Sequence, residues 1–293
     1  MVLQFDRTEA EFGGRSESGA RRMRRITIVA ALVVFTFCVG EAHAGVFSGL
    51  EGYWSFDGTA ADLSGNGNNL SLFGDATFAS GGQFGEALSL DGVEGSYAEQ
   101  TTDNGAFDFG SSDFTIQVWV NFTSKSSEQT LIEDFTGGGG PGWTFTTPGV
   151  VQFYANPYGA YNGGASFSTG VWNQFIVERN GNTIDIYYDD VLVETGTISG
   201  AISASSNPLL IGARDAADGR NFTVDGLIDD VGIWDRALSP DEIAELWNDG
   251  NGLEFGAAVP EASTWAMLVL GFAGLGLAGH RRRSKGRTEF LKI

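Results

Sequence analysis

Carboxylates are the side chains with which this sequence can do chemistry. Asp57 and Asp62 border a Gly/Asn-rich stretch, Gly58 to Asn69, while Asp229 and Asp230 sit side by side in the apolar run GLIDDVGIW. A carboxylate that points at an apolar surface needs a partner. Histidine and cysteine contribute nothing to the middle of the chain. The two His are His43 and His280 and the single Cys is Cys38, all near the chain ends. Between them there is no thiol nucleophile, no disulfide, no imidazole base and no soft-metal site. What remains is oxygen chemistry. Carboxylates of this kind accept backbone hydrogen bonds in Asx-turns, and of the metals only hard, oxygen-ligated ones remain, Ca²⁺ first, which takes ~6–8 oxygens including carbonyls.

Aromatic side chains form the second candidate group. Trp143, Tyr154, Tyr158 and Tyr161 cluster in a loop-rich stretch with Asn156, Asn162 and Gly163. Amphipathic rings pack on sugar faces while amides bind hydroxyls; the competing expectation is that these rings close the edge of a core. Trp119 lies on the polar side of its own strand and is open to the same two readings. Glycoside hydrolysis needs two carboxylates about 5–10 Å apart. An E-x-D-x-E run would put three acids on one strand face, but Thr183 to Asp189 holds one central acid, and Glu133 and Asp134 point to opposite faces. The chain is therefore expected not to be an enzyme.

These residues need elements to position them. Gly226 to Trp234 reads as a strand with Leu227, Val231 and Ile233 on one side and Ile228 and Trp234 on the other, covered on both faces. A helix follows, with Ser239 as N-cap, Pro240 first and Glu242 completing a capping box. Ile243, Leu246 and Trp247 form its apolar stripe and Gly250 its left-handed stop. Phe114 to Phe122 alternates cleanly, with its odd-numbered partners polar save Trp119. Val171 to Glu178 and Thr183 to Tyr188 flank Asn180-Gly181, a type I′ hairpin signal. Many short strands with turns every ~8–12 residues, and one short helix, predict an all-β sandwich.

The segment Gly226-Leu-Ile-Asp-Asp-Val-Gly-Ile-Trp-Asp-Arg-Ala-Leu-Ser-Pro-Asp-Glu-Ile resembles the closing strand and helix of the laminin-G-like (concanavalin-A-like) jelly-roll family. The start of the same family is matched by Trp54-Ser-Phe-Asp-Gly58 and Asp62-Leu-Ser-Gly-Asn-Gly-Asn-Asn69. The resemblance implies one jelly-roll domain over residues 45–255. It also implies a structural Ca²⁺ near the first and last strands, on Asp57, Asp62, Asp229 and Asp230.

The ends read as sorting signals. Residues 1–22 lack apolar periodicity and read as an extension. Residues 23–44 give Arg24-Arg25, an apolar run and Ala42-His43-Ala44, a secretory leader cut after Ala44 by signal peptidase. At the other end Val259-Pro260-Glu261 precedes an apolar Gly-rich helix and Arg281-Arg282-Arg283, with a basic tail over 284–293. This order is similar to the PEP-CTERM signal (259–283) of Gram-negative bacteria. The resemblance implies cleavage by an exosortase, transient residence in the inner membrane, and delivery to the surface or outside. Charge supports export. Residues 45–260 carry 30 acidic residues against five basic ones, a formal −25, whereas the whole chain carries −20. Such a surface excludes nucleic acid and anionic lipid as partners. The expected function is non-catalytic association with extracellular polysaccharide, in a biofilm matrix for example. A structural surface protein without a ligand comes second and a glycoside hydrolase or lyase third.

Overall fold

The computed structural model describes residues 44–255, apart from 126, 165 and 215–220. The leader, the hydrophobic helices expected at both chain ends and the sorting motif lie outside the described residues. In chain order the elements are α1 (Ala44–Phe47), β1 (Leu50–Trp54), β2 (Leu70–Phe73), β3 (Thr77–Ser80), β4 (Glu86–Asp91), β5 (Tyr97–Gln100), β6 (Phe114–Phe122), β7 (Thr130–Phe135) and β8 (Gly142–Thr146). There follow β9 (Val151–Ala155), β10 (Gly159–Gly163), β11 (Asn173–Asn180), β12 (Thr183–Tyr188), β13 (Val191–Thr197), β14 (Leu210–Ile211), β15 (Asp225–Trp234) and α2 (Pro240–Trp247). They build two antiparallel sheets, the jelly-roll sandwich expected. Sheet A runs β13-β12-β11-β6-β15-β4-β3, with β1 also on β15, and sheet B runs β10-β9-β8-β7-β14-β5-β2.

The main core fills the space between the sheets. Phe114, Ile116, Val118, Val120 and Phe122 of β6 all enter it, as their alternation predicts. Their neighbours Thr115, Gln117 and Trp119 face the other way, where α2 covers sheet A. A second core forms there from Val46, Tyr53, Ile176, Trp234, Leu238, Ile243, Leu246 and Phe255. Trp119 stacks on Trp247 at 5.4 Å and 11°, so it is a second-layer packing residue. The capping box is present: Glu242 N–H donates to Ser239 Oγ and Ser239 N–H to Glu242 Oε2. The helix stop differs from expectation. Asn248 takes the left-handed conformation (φ 47°) and closes α2 two residues before Gly250.

β15 corrects the expected face assignment. Asp229 pairs with Trp119 and Gly232 with Gln117, so two residues of β15, Asp230 and Val231, stand against the single Val118 of β6. The extra residue is a β-bulge at Asp230, whose φ is 45°. A one-residue bulge reverses the alternation downstream. Ile228, Val231 and Ile233 therefore share the main core, while Trp234 joins the second. The bulge is also where β15 changes partner, from β4 as far as Ile228 to β1 from Val231.

One hairpin turn also differs. β11 pairs Asn180 with Thr183, so the two-residue loop is Gly181-Asn182. Only Gly181 has positive φ (59°), the type II′ pattern rather than I′. The I′ pattern falls at Asp189 (49°) and Asp190 (63°), between β12 and β13.

Candidate functional site

Three of the four predicted metal-binding acids meet where the first and last strands meet. The turn between β3 and β4 is clamped from two sides. Phe84 N–H donates to Asp229 Oδ2 at 3.1 Å and Glu86 N–H to Asp57 Oδ1 at 2.7 Å. Gly85 sits there at φ 44°, and a Cβ on it would collide with Asp57 Oδ1; a Cβ on Gly82 would come within 2.7 Å of Asp229 Oδ2. The run Gly81-Gly-Gln-Phe-Gly-Glu86 is thus part of the acid cluster, and its only sequence signal is the glycine spacing. Asp230 occupies the bulge, and its Oδ1 accepts the Tyr53 hydroxyl. Asp229 Oδ1 accepts the Asp230 N–H at 3.0 Å.

Burial first of all pushes the carboxyls of Asp229 and Asp230 well above the usual range. The neighbouring Asp230 charge raises Asp229 further, and Asp57 adds to both. Burial and Asp230 likewise raise the Tyr53 hydroxyl. Asp230 Oδ2 is buried without a hydrogen-bond partner among the described residues. These groups fit a hard cation in charge and in having a buried oxygen to spare. Among the described residues no three His, Cys, Asp or Glu side chains are already arranged around one point. Asp57, which is exposed, would have to turn inward. Asp62 is not part of this cluster. Its carboxylate accepts the N–H groups of Tyr53, Ser64 and Asn68 and knits the loop after β1 to that strand. That is the Asx-turn role set against metal binding above.

The aromatic set is divided by the fold, which corrects the expectation for two members. Trp143 is 1% exposed and stacks on Phe109 at 5.2 Å, while its Nε1–H donates to Phe107 O at 2.9 Å. Tyr161 lies on the inner face of β10 and its hydroxyl donates to Thr197 O at 3.0 Å. Both are core residues, because β8 and β10 are strands with those positions turned inward. Tyr158 packs partly buried against the same core. Only Tyr154 faces outward from sheet B, half-buried, with Phe135 edge-on at 5.5 Å and 71°. Gln152 and Asn162 stand beside it on the same face, paired across strands by Gln152 Nε2–H donating to Asn162 Oδ1 at 2.6 Å.

The rest of that face is less open. Tyr97, Leu210 and Ala213 form a small buried cluster over β5 and β14. Arg214 packs over the Phe222 ring at 4.4 Å and pairs with Glu128. The outer face of sheet B is accessible at its two edges, at β2 through Ser71 and Phe73, the latter stacked on Tyr97, and at the β9–β10 edge, which alone joins an aromatic ring, Tyr154, to the paired amides of Gln152 and Asn162.

Carboxylate pairs for hydrolysis fall poorly. Glu133 pairs across strands with Thr144, and Asp134 with inward-facing Trp143, so the two point to opposite faces. Glu178 and Asp185 are direct cross-strand partners, but Glu178 is 3% exposed.

A sequence profile described as the concanavalin A-like lectin/glucanases superfamily matches residues 94–244, just over half of the chain. The chain belongs to this superfamily. A second profile, the PEP-CTERM protein-sorting motif, matches residues 258–283 and marks this superfamily member for export and membrane-anchored sorting. A comparison with curated proteins gives no match.

Solved structures share the fold. One is domain 4 of AbnA, a GH43 extracellular arabinanase from Geobacillus stearothermophilus, in complex with arabinotriose. It is 19% identical with a TM-score of 0.54, over 66% of this chain and 96% of that one. The binding domain of Paraclostridial Mosquitocidal Protein 1 is 19% identical with a TM-score of 0.58, over 70% of this chain and 53% of that one. The botulinum neurotoxin serotype G binding domain is 17% identical with a TM-score of 0.53, over 69% and 51%. This superfamily member thus spans about half the length of the two toxin chains. At these identities the likeness is one of fold.

Proposed function

We propose that this is a non-catalytic, surface-sorted domain that binds extracellular polysaccharide through the β9–β10 edge of sheet B. The observation that carries the reading is the outward-facing, half-buried Tyr154 ring, braced by Phe135 and flanked by the Gln152–Asn162 amide pair. A ring supplies a sugar-stacking plane and paired amides supply hydroxyl partners. The fold neighbour solved with arabinotriose is in keeping with a saccharide ligand. The formal charge of −25 between residues 45 and 260 favours a neutral or cationic glycan, or an acidic one bridged by divalent ions. Asp57, Asp229 and Asp230 would hold a structural Ca²⁺, which would neutralise the carboxylates crowded at the bulge.

The test is retention of the protein on extracellular polysaccharides, and on a panel of neutral glycans. Tyr154→Ala should weaken retention about tenfold, as loss of one stacking ring implies, with the melting temperature lowered by only a few °C, about what the lost contact with Phe135 implies. If the wild type is retained by no polysaccharide, the protein is a structural surface component instead. Release of new reducing or unsaturated ends from any glycan would make it a hydrolase or lyase.

A further inference from the structure

The two ends of the domain meet, and they meet on one side. Val46 is fully buried and its carbonyl accepts the Trp234 indole N–H at 2.6 Å. The carbonyls of Gly45 and Ser48 both accept hydrogen bonds from the Arg236 guanidinium. At the other end Phe255 is 6% exposed, with its ring 5.1 Å from Phe47, 4.6 Å from Tyr53 and 6.1 Å from Trp234. The residues just after the expected leader and those just before the sorting motif thus close the second core together, beside α2 on the outer face of sheet A. Tyr154, Gln152 and Asn162 lie on the outer face of sheet B.

The linker is short. The sorting match begins at residue 258, so two residues separate it from pinned Phe255. Even fully extended, Phe255 to Val259 spans about 14 Å, and Phe255 to the start of the apolar stretch at Trp265 about 35 Å. With a layer of helix on one side and two sheets about 10 Å apart, the outer face of sheet B lies about 20 Å beyond α2.

From this geometry we infer that the α2 side is the attachment side of the domain. In the membrane-anchored form it faces the lipid surface, and the outer face of sheet B is presented away from it. The orientation is a bias set by where the tether leaves the domain and not by adhesion: the ~35 Å of full extension exceeds the ~20 Å to the outer face of sheet B, but a random coil of ten residues averages only about 17 Å end to end. Asp241, Asp249 and Glu254 on this side would repel anionic lipid. What is presented rests on the polysaccharide reading above; the orientation itself does not.

The experiment uses single cysteines, since Cys38 is the only one in the chain. Full-length protein carrying Cys38→Ala is given one new cysteine at exposed Ala244 on α2, or at exposed Ala160 or Ser71 on sheet B. Each is dye-labelled and reconstituted through its sorting segment into phosphatidylcholine vesicles with a headgroup energy acceptor. Transfer from position 244 should be at least about twofold greater than from 160 or 71. Equal transfer, or greater transfer from sheet B, would overturn the inference. Lengthening the stretch 256–257 with a long Gly/Ser linker should abolish the difference. A difference that survives lengthening would mean adhesion and would also overturn it. Polysaccharide retention on the same vesicles is scored separately, so unequal transfer without binding keeps the orientation and removes only the function proposed above.

Discussion

Replacing Glu178 by Gln should stabilise the domain above neutral pH and leave it nearly unchanged below pH 5. Glu178 stands directly opposite Asp185 on the outer face of sheet A. Glu178 Oε2 and Asp185 Oδ1 are both buried without hydrogen-bond partners among the described residues. Asp113, Glu242 and the Tyr187 hydroxyl surround the pair. Burial first, then Asp185, pushes the Glu178 carboxyl from its ordinary 4.5 up to about 7. A carboxyl raised in the folded state favours folding only while protonated. Its contribution is therefore intact below the unfolded value and is lost as pH rises through about 7. At ~1.4 kcal/mol per pH unit, the loss approaches about 3 kcal/mol by pH 8. For a domain of this size that is about 6–12 °C in melting temperature. Calorimetry from pH 4.5 to 9 should show the wild-type melt falling across pH 5–8 and the Glu178→Gln melt staying flatter. Asp185→Asn, which removes the facing charge, should move the wild-type fall to lower pH. A Glu178→Gln difference of the same size at pH 5 and pH 8.5 would refute the assignment.

Other outcomes follow from the same packing. Trp143→Ala should destabilise the domain by about 3–5 kcal/mol, as loss of a buried Trp does. Urea unfolding would measure it, and a wild-type midpoint with lost glycan retention would instead make Trp143 a surface contact. For calcium, the wild-type melting temperature should rise with Ca²⁺ and fall with chelator, and Asp230→Asn should not respond. A wild-type melt indifferent to both would remove the cation.

The sandwich was legible because its signals are local and repeated. Alternation along Phe114 to Phe122 put five side chains into the main core as read. The Ser239–Glu242 box is confined to four residues and formed as read. The motifs around Asp57 and Asp229 placed the first and last strands together. Period-two patterning tells which side chains share a face of one strand. It does not tell which face another layer will cover, nor whether the count is interrupted. Hence Trp143 and Tyr161 were open to both readings, sugar-facing rings or rings closing the core, until neighbouring strands turned them inward. Asp230 likewise read as an ordinary strand residue until its positive φ added a bulge and reversed every side chain after it. The meeting of Phe47 with Phe255 joins residues at the two ends of the domain, and no local pattern encodes so distant a contact. Composition settled the chemistry available to residues 45–255, oxygen ligands and carboxylates without thiol or imidazole, because a folded domain can only arrange the groups it carries. Which of those carboxylates stand together, and which one face of the sandwich stays open, was decided by register and layer stacking alone.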